Sequence, residues 1–148
     1  WYTDTGVQNM PDNFNGYSFT TVRTGEARFG LPEPAKSLEC RHIYEQMTKS
    51  AALPRNGTDS ERNTYGSILQ ACDTTMTFVA AARAAGANLT DASFIEAIQH
   101  LGFIDTAAWG GGAFAPGKLD LNDKTRVLRF QADCKCWKIA DQPHPVRY

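Results

Sequence analysis

The sequence predicts a mixed α/β fold, in which one early strand is followed by three helices and a group of closing strands. Three observations lead to this class. A glycine-bounded run rich in aromatic and β-branched residues comes first, three segments repeat apolar residues at helical spacing, and short strand-like runs joined by turns come last. With 148 residues, of which 42% are hydrophobic, the chain can bury a core of moderate size.

The first predicted element is a strand at 16–22. Residues 1–15 are polar and contain turn-forming residues, which is typical of an irregular lead-in. From Gly16 onward aromatic and β-branched residues dominate, and Tyr17 and Phe19 fall on one face of an extended chain. We therefore expect one strand here, bounded by glycines.

The first helix is predicted over 35–51. Apolar residues recur in this segment three and four positions apart, as they do along one face of an amphipathic helix. We expect this face to be buried. Its members are Cys40, Ile43, Tyr44 and Met47.

The second and longest helix is predicted over 59–85. Thr58 stands three residues before Glu61, which is typical of a capping box, and Gly86 can end the helix in the left-handed conformation. Cys72 is expected on its inward face. The positions at helical spacing are Tyr65, Ile68, Leu69, Cys72, Met76, Val79 and Arg83.

A third, shorter helix is predicted over 91–101. Thr90 precedes it as a capping residue, and Gly102 follows it as a stop. The apolar residues of this segment also recur at helical spacing, so we expect it to pack against the rest of the fold. These residues are Phe94, Ile95, Ile98 and Leu101.

Short antiparallel strands are predicted at 113–115, 127–130 and 136–139, and the glycine run at 110–112 is expected to be a flexible turn. The chain is then a single segment. It divides into a lead-in at 1–15, a strand and helical part at 16–102, closing strands at 103–142 and a frayed tail at 143–148.

The four cysteines indicate an oxidising compartment, because their even number fits two disulfides. Cys40 and Cys72 each lie on the inward face of a predicted helix, so a bridge between them is expected. Cys134 and Cys136 form either a disulfide at a tight turn or two free thiols. A zinc site is disfavoured, because zinc motifs leave two or more residues between paired cysteines.

Composition and motifs exclude several classes of function. The 15 basic and 16 acidic residues are spread along the chain, which disfavours nucleic acid and anionic membranes as partners. No apolar run approaches the roughly 20 residues of a membrane span. No catalytic constellation, phosphate loop or cofactor motif is present. We therefore expect a binding protein without a cofactor or metal, and not an enzyme.

Five short motifs together resemble a known family, the type I periplasmic solute-binding proteins. The resemblance is to the branch that binds branched-chain amino acids and amides for ABC importers. The motifs are Asn-Phe-Asn-Gly at 13–16, Tyr-Gly-Ser-Ile at 65–68, Asp-Ala-Ser-Phe-Ile-Glu-Ala-Ile at 91–98, Phe-Ala-Pro-Gly-Lys at 114–118 and Cys-Lys-Cys-Trp at 134–137.

The resemblance implies the C-terminal part of a two-lobed, Venus-flytrap α/β protein with its ligand in the cleft. It implies an extracytoplasmic location, in the periplasm, at the cell surface or secreted. The implied ligand is a small amino-acid-like or polar molecule, and an ABC permease is the implied partner. Most ligand contacts of the family lie in its first two thirds, which have no counterpart in this sequence.

The resemblance also points to ligand contacts at the start of the second helix, at Glu61, Asn63 and Tyr65. A helix N-terminus attracts anions, and an aromatic face attracts an ammonium group. The alternative interpretation is that Glu61 only caps the helix and that Tyr65 is core packing.

A hinge between lobes is a second expectation, at Arg23, Thr24 and Gly25, because glycine tolerates large backbone changes. An ordinary loop is the alternative there. For the whole chain, the alternative function is a structural or interaction module that assembles with its missing N-terminal half or with itself. Unpaired strand edges and bare core faces of a half-fold would favour such assembly.

Overall fold

The structure, a computed structural model, describes residues 9–21, 32–51 and 59–146, apart from the side chains of Phe19 and residues 59–63. This part of the chain has three α-helices and an antiparallel sheet, which confirms the predicted mixed α/β class. The helices are α1 (Ala35–Thr48), α2 (Asp59–Ala85) and α3 (Asp91–Gln99). The strands are β1 (Ser18–Thr21), β2 (Lys124–Gln131), β3 (Cys136–Ile139) and β4 (His144–Pro145).

Helix α2 has the predicted bounds, whereas α1 and α3 end earlier than predicted. Lys49 adopts the left-handed conformation (φ 57°), and its N–H bonds to the Glu45 carbonyl, which ends α1 three residues early. At the end of α3, the N–H of His100 bonds to the Ala97 carbonyl three residues back, so the last turn tightens.

The start of α3 is fixed by a capping box. The Thr90 hydroxyl accepts the Ser93 backbone N–H at 3.1 Å, and the Ser93 hydroxyl accepts the Thr90 N–H at 2.9 Å. Both backbone donors are thereby satisfied without a Glu or Gln. The capping box predicted at Thr58 lies outside the described residues.

The sheet is built around β2, and every strand pair within the described residues is antiparallel. β1 pairs with β2 at Thr21 opposite Arg126, and β3 pairs with β2 at Trp137 opposite Phe130. The prediction of a strand at 113–115 was wrong. Only a single bridge forms there, between Ala115 and Lys118.

The prediction of a frayed tail was also wrong at His144 and Pro145. These two residues pair with the start of β2 as β4, and the N–H of Val146 donates to the Asp123 carbonyl at 3.0 Å. Backbone pairing therefore holds the part of the tail that the structure describes.

Two groups of buried residues stabilise the fold. The helical core comprises Cys40, Tyr65, Leu69, Ala107 and Ala108, and the sheet core comprises Leu128, Phe130 and Trp137. The Phe130 and Trp137 rings meet edge to face, with centroids 5.7 Å apart.

The predicted apolar faces of α1 and α2 were only partly correct. On α1 Cys40 is buried, but Ile43 and Met47 are exposed, Met47 at 79%. On α2 Met76 and Arg83 are exposed, because the covered face follows positions four residues apart. That buried series is Tyr65, Leu69, Asp73, Thr77 and Ala81.

All four cysteines are paired. The expected bridge joins Cys40 of α1 to Cys72 of α2, with 5.8 Å between the Cα atoms. The second bridge joins Cys134 to Cys136 at the turn before β3, so this pair is a disulfide and not two free thiols. Among the described residues, no helix is both long and apolar enough to span a membrane.

Candidate functional site

A largely apolar groove lies between α2, α3 and the loop that follows α3. Its volume is about 330 Å³, a size suited to a small molecule. We call it the α2–α3 groove. The lining residues that matter below are Asp73, Thr77, Phe78, Phe94, Trp109 and Phe114.

Both helices present residues to the groove at helical spacing. Asp73 and Thr77 are four residues apart on α2, and Phe94 and Ile98 are four apart on α3, so each pair faces the same way. The Phe78 and Phe94 rings meet with centroids 5.4 Å apart. Aromatic side chains from two helices therefore form one wall.

Asp73 is the charged group of the groove that is buried most deeply, with 4% of its surface exposed. Its Oδ1 accepts the N–H of Ala107 at 2.7 Å, and its Oδ2 accepts the N–H of Ala108 at 2.8 Å. Burial raises the pKa of Asp73, and the two backbone hydrogen bonds partly oppose the rise. Since each carboxylate oxygen has two lone pairs, Asp73 can accept further donors.

The loop beside the groove passes close to its neighbours because of two glycines. A Cβ at Gly112 would lie 2.2 Å from the Leu121 carbonyl oxygen, and one at Gly111 would lie 2.6 Å from the Phe103 ring. Gly112 also forms a bridge with Ile104. The expected flexible turn is thus a tightly packed segment at Gly111 and Gly112, where no larger side chain fits.

A second polar cluster joins α1 to α2 through Glu33. The buried Tyr65 hydroxyl donates to Glu33 Oε1 at 3.0 Å, and Arg41 Nη1 donates to both Glu33 oxygens at 3.2 and 3.0 Å. Burial, together with Glu33, raises the pKa of Tyr65 to about 12. Ser37 extends the contact by donating to the Ala107 carbonyl at 3.0 Å.

Among the residues expected from the family resemblance, the structure describes the side chain of Tyr65 alone. Tyr65 is fully buried in the helical core, with its hydroxyl bonded to Glu33. Glu61 and Asn63 lie near the start of α2, but their side chains are outside the described residues. The hinge residues Arg23, Thr24 and Gly25 lie outside them as well.

Asp73 was missed by sequence reasoning, although a signal for it was present. It lies four residues after Leu69 and four before Thr77, so an acidic residue interrupts the series that α2 buries. An acid in such a position needs hydrogen-bond donors, which the backbone of 107–108 supplies here. The described residues include no group of three side chains that could hold a metal ion.

No family model, curated protein sequence or solved structure matches the chain. The chemistry of the α2–α3 groove is therefore the basis for assigning a function. Aromatic faces beside a buried carboxylate suit a small, partly apolar molecule with a cationic group.

Proposed function

We propose that the chain is the C-terminal part of an extracytoplasmic solute-binding protein of the type I periplasmic class. Its ligand is a small, apolar, amino-acid-like molecule, and it delivers this ligand to an ABC importer. The observation that supports this most directly is the α2–α3 groove, which combines aromatic walls with the buried carboxylate of Asp73.

The ligand chemistry follows from the lining. An ammonium group can donate to Asp73, whose oxygens have lone pairs beyond those used by Ala107 and Ala108. Phe78 and Phe94 offer ring faces to the cation and contact area to an aliphatic side chain. A molecule with an ammonium group and a branched alkyl chain meets both requirements.

The two disulfides support the extracytoplasmic part of the proposal. Such bonds persist in oxidising compartments and are rare in the reducing cytosol. The Cys40–Cys72 bridge also ties α1 to α2, the helix that contributes Asp73 to the groove. An oxidising compartment allows the Cys40–Cys72 bridge to form, and this bridge would in turn stabilise the helix that lines the groove.

Calorimetric titration with three related molecules tests the proposal. L-leucine has both charged groups, isopentylamine lacks the carboxylate, and isocaproate lacks the ammonium group. We expect leucine and isopentylamine to bind in the groove and isocaproate not to bind there, because the groove recognises the cation. Absence of binding by both amines would contradict the assignment.

A matched pair of variants localises the binding to the groove. Phe78 lines the groove and is 55% exposed, so F78A leaves both buried cores intact. Loss of its ring should weaken amine binding roughly 2- to 30-fold, which corresponds to a cation–π contact of about 0.5–2 kcal/mol. M47A changes an exposed residue of α1 and should have no effect. Equal affinities of the two variants would place the ligand elsewhere.

A second candidate function is an assembly module, and the exposed apolar side chains of α1 favour it. Leu38, Ile43 and Met47 are all exposed in the described structure. Ile43 and Met47 are four residues apart and therefore neighbours on the helix surface, and exposed apolar surface of this kind marks contact with other protein surface. The partner would be the remainder of the same fold or a second copy of the chain.

A further inference from the structure

Arg126 is a buried cation on the apolar face of the sheet. Along β2 it alternates with outward residues and shares its face with Leu128 and Phe130, which belong to the sheet core. Only 5% of its surface is exposed. Arginine is almost never buried to this extent without a partner.

The guanidinium of Arg126 has no such partner within the described structure. Its Nε and Nη1 atoms are buried and make no hydrogen bond. Two other described arginines each have at least one hydrogen bond. Arg41, whose Nε is also buried and unbonded, donates from Nη1 to both oxygens of Glu33, and the exposed Arg129 donates from Nε to the Ser18 hydroxyl at 3.4 Å.

The nearby carboxylate of Asp141 is already engaged. Its Oδ1 accepts the Val127 N–H at 2.7 Å, and its Oδ2 lies 2.8 Å from Nε2 of His144. Asp141 is close enough to act on Arg126 through its charge, which opposes the lowering of the Arg126 pKa by burial. It does not bond to the guanidinium, so the Nε and Nη1 donors of Arg126 stay unpaired.

We propose that Arg126 is an anion-binding residue, and that its ligand is the carboxylate of a free small molecule. The site lies on the sheet and is separate from the α2–α3 groove, so it goes beyond the function proposed above. A guanidinium offers two forks to a carboxylate, Nε with Nη2 or Nη1 with Nη2. Each fork includes one of the two buried, unpartnered nitrogens.

The local charge favours a monoanion. One guanidinium supplies the positive charge, and Asp141 offsets part of it. A doubly charged phosphate or sulfate would leave excess negative charge beside Asp141, whereas a carboxylate would not. His144 is largely exposed beside Asp141 and faces the same end of β2 through the pairing of β4.

The test follows the Hε–Nε signals of the arginines by NMR during a titration with sodium acetate, at ionic strength held constant with sodium chloride. R126K identifies the Arg126 signal by its loss. We expect this signal to shift in a saturable manner, while that of Arg129 stays in place. No shift, or a parallel shift of both signals, would overturn the proposal. Tighter binding of sulfate than of acetate would overturn the carboxylate assignment.

Stability measurements give a second readout. R126M replaces the buried cation by an apolar chain of similar length and should raise the Tm of the acetate-free protein. It should also abolish any rise of Tm with acetate, whereas R129M should keep that rise. If R126M does not fold, R126K serves instead, with acetate affinity reduced at least about 10-fold. An unchanged acetate response in either Arg126 variant would contradict the site.

A carboxylate of the chain itself is the competing source. Glu26 follows Thr21, the residue paired with Arg126, by five positions in the sequence. If E26Q moves the Arg126 signal in the acetate-free protein, the partner is Glu26 and the proposal fails. Isopentylamine has no carboxylate, so its binding in the α2–α3 groove should be unchanged by R126M, and failure of one proposal is separable from failure of the other.

Discussion

At the scale of single residues, Asp73 links the long helix to the loop that borders the groove. Its two oxygens accept two successive backbone N–H groups, at Ala107 and Ala108, so the carboxylate holds the loop against α2. An amide could accept only one of these donors, because its NH₂ group has no acceptor to offer. The helical core includes both alanines and so depends on these two hydrogen bonds.

We predict that D73N lowers the free energy of unfolding at pH 7 by about 1–3 kcal/mol, the cost of a buried donor left unpaired. Urea denaturation of the two proteins provides the measurement. T74N, at an exposed position one residue further along α2, is the control and should change stability by less than about 0.5 kcal/mol. Equal effects of the two substitutions would show that Asp73 does not hold the loop.

The difference in unfolding free energy between the wild type and D73N should change with pH in a direction that follows from the pKa of Asp73. Burial raises the pKa of Asp73 in the folded protein, so the folded state binds more protons than the unfolded chain between the two pKa values. The pH-dependent part of the stability from Asp73 is therefore full below its unfolded pKa of about 3.9 and is lost as the pH rises through the folded pKa, whereas the two backbone hydrogen bonds that D73N disrupts are still present at pH 7. We expect the stability advantage of the wild type over D73N to shrink as the pH rises through this window. An advantage that grows would contradict the raised pKa.

Individual residues were the hardest features to predict from sequence. The pairing of Cys40 with Cys72 could be predicted, because both residues fall on inward helix faces. The role of Asp73 could not, because it depends on a segment distant in sequence. Asp73 meets the backbone of Ala107, 34 positions away. Local periodicity shows that a polar residue is buried but not which donor or acceptor satisfies it.

At the scale of elements, the Cys40–Cys72 bridge determines how α1 is held against α2. The bridge closes a loop with a sequence separation of 32, whereas the Cys134–Cys136 bridge has a separation of 2. In the loop-entropy model, the longer loop restricts the unfolded chain far more.

We therefore predict different costs for removing the two bridges. C40A/C72A should lose about 4 kcal/mol of unfolding free energy, and C134A/C136A only about 1–2 kcal/mol. Both members of a bridge are replaced together so that no free thiol remains. Denaturation without reductant measures the losses, with the second double variant as the matched control. Similar losses would indicate that the bridges do not act through loop closure.

Helices were predicted better than strands, for a physical reason. The helical period and caps are local, and the bounds of α2 were predicted from residues within it and directly beside it. The pairing of β1 with β2 joins Ser18 to Arg129, more than 100 positions away, and no local pattern specifies such a partner. The early end of α1 at Lys49 also escaped prediction, because a lysine in the left-handed conformation has no sequence signature.

At the scale of the whole molecule, the described chain has two cores and an exposed apolar face on α1. The helical core and the sheet core have no member in common, and the segment after α3 connects them along the chain. The mixed α/β class was predictable from composition and periodicity. Whether further chain covers α1 depends on surfaces that a single sequence does not reveal.

The exposed face of α1 leads to a prediction about assembly. Ile43 and Met47 are four residues apart, so their exposed side chains are neighbours on the helix surface. If this face is a contact surface, the isolated chain should associate with itself as its concentration rises. Analytical ultracentrifugation should then give masses above 16.3 kDa.

I43K/M47K should restore the single-chain mass, because two buried ammonium groups would oppose the contact. L119K, at an exposed apolar residue beside the groove, is the control and should still associate. A wild-type chain of single mass at every concentration would rule out self-assembly through α1 and leave ligand binding as the supported function.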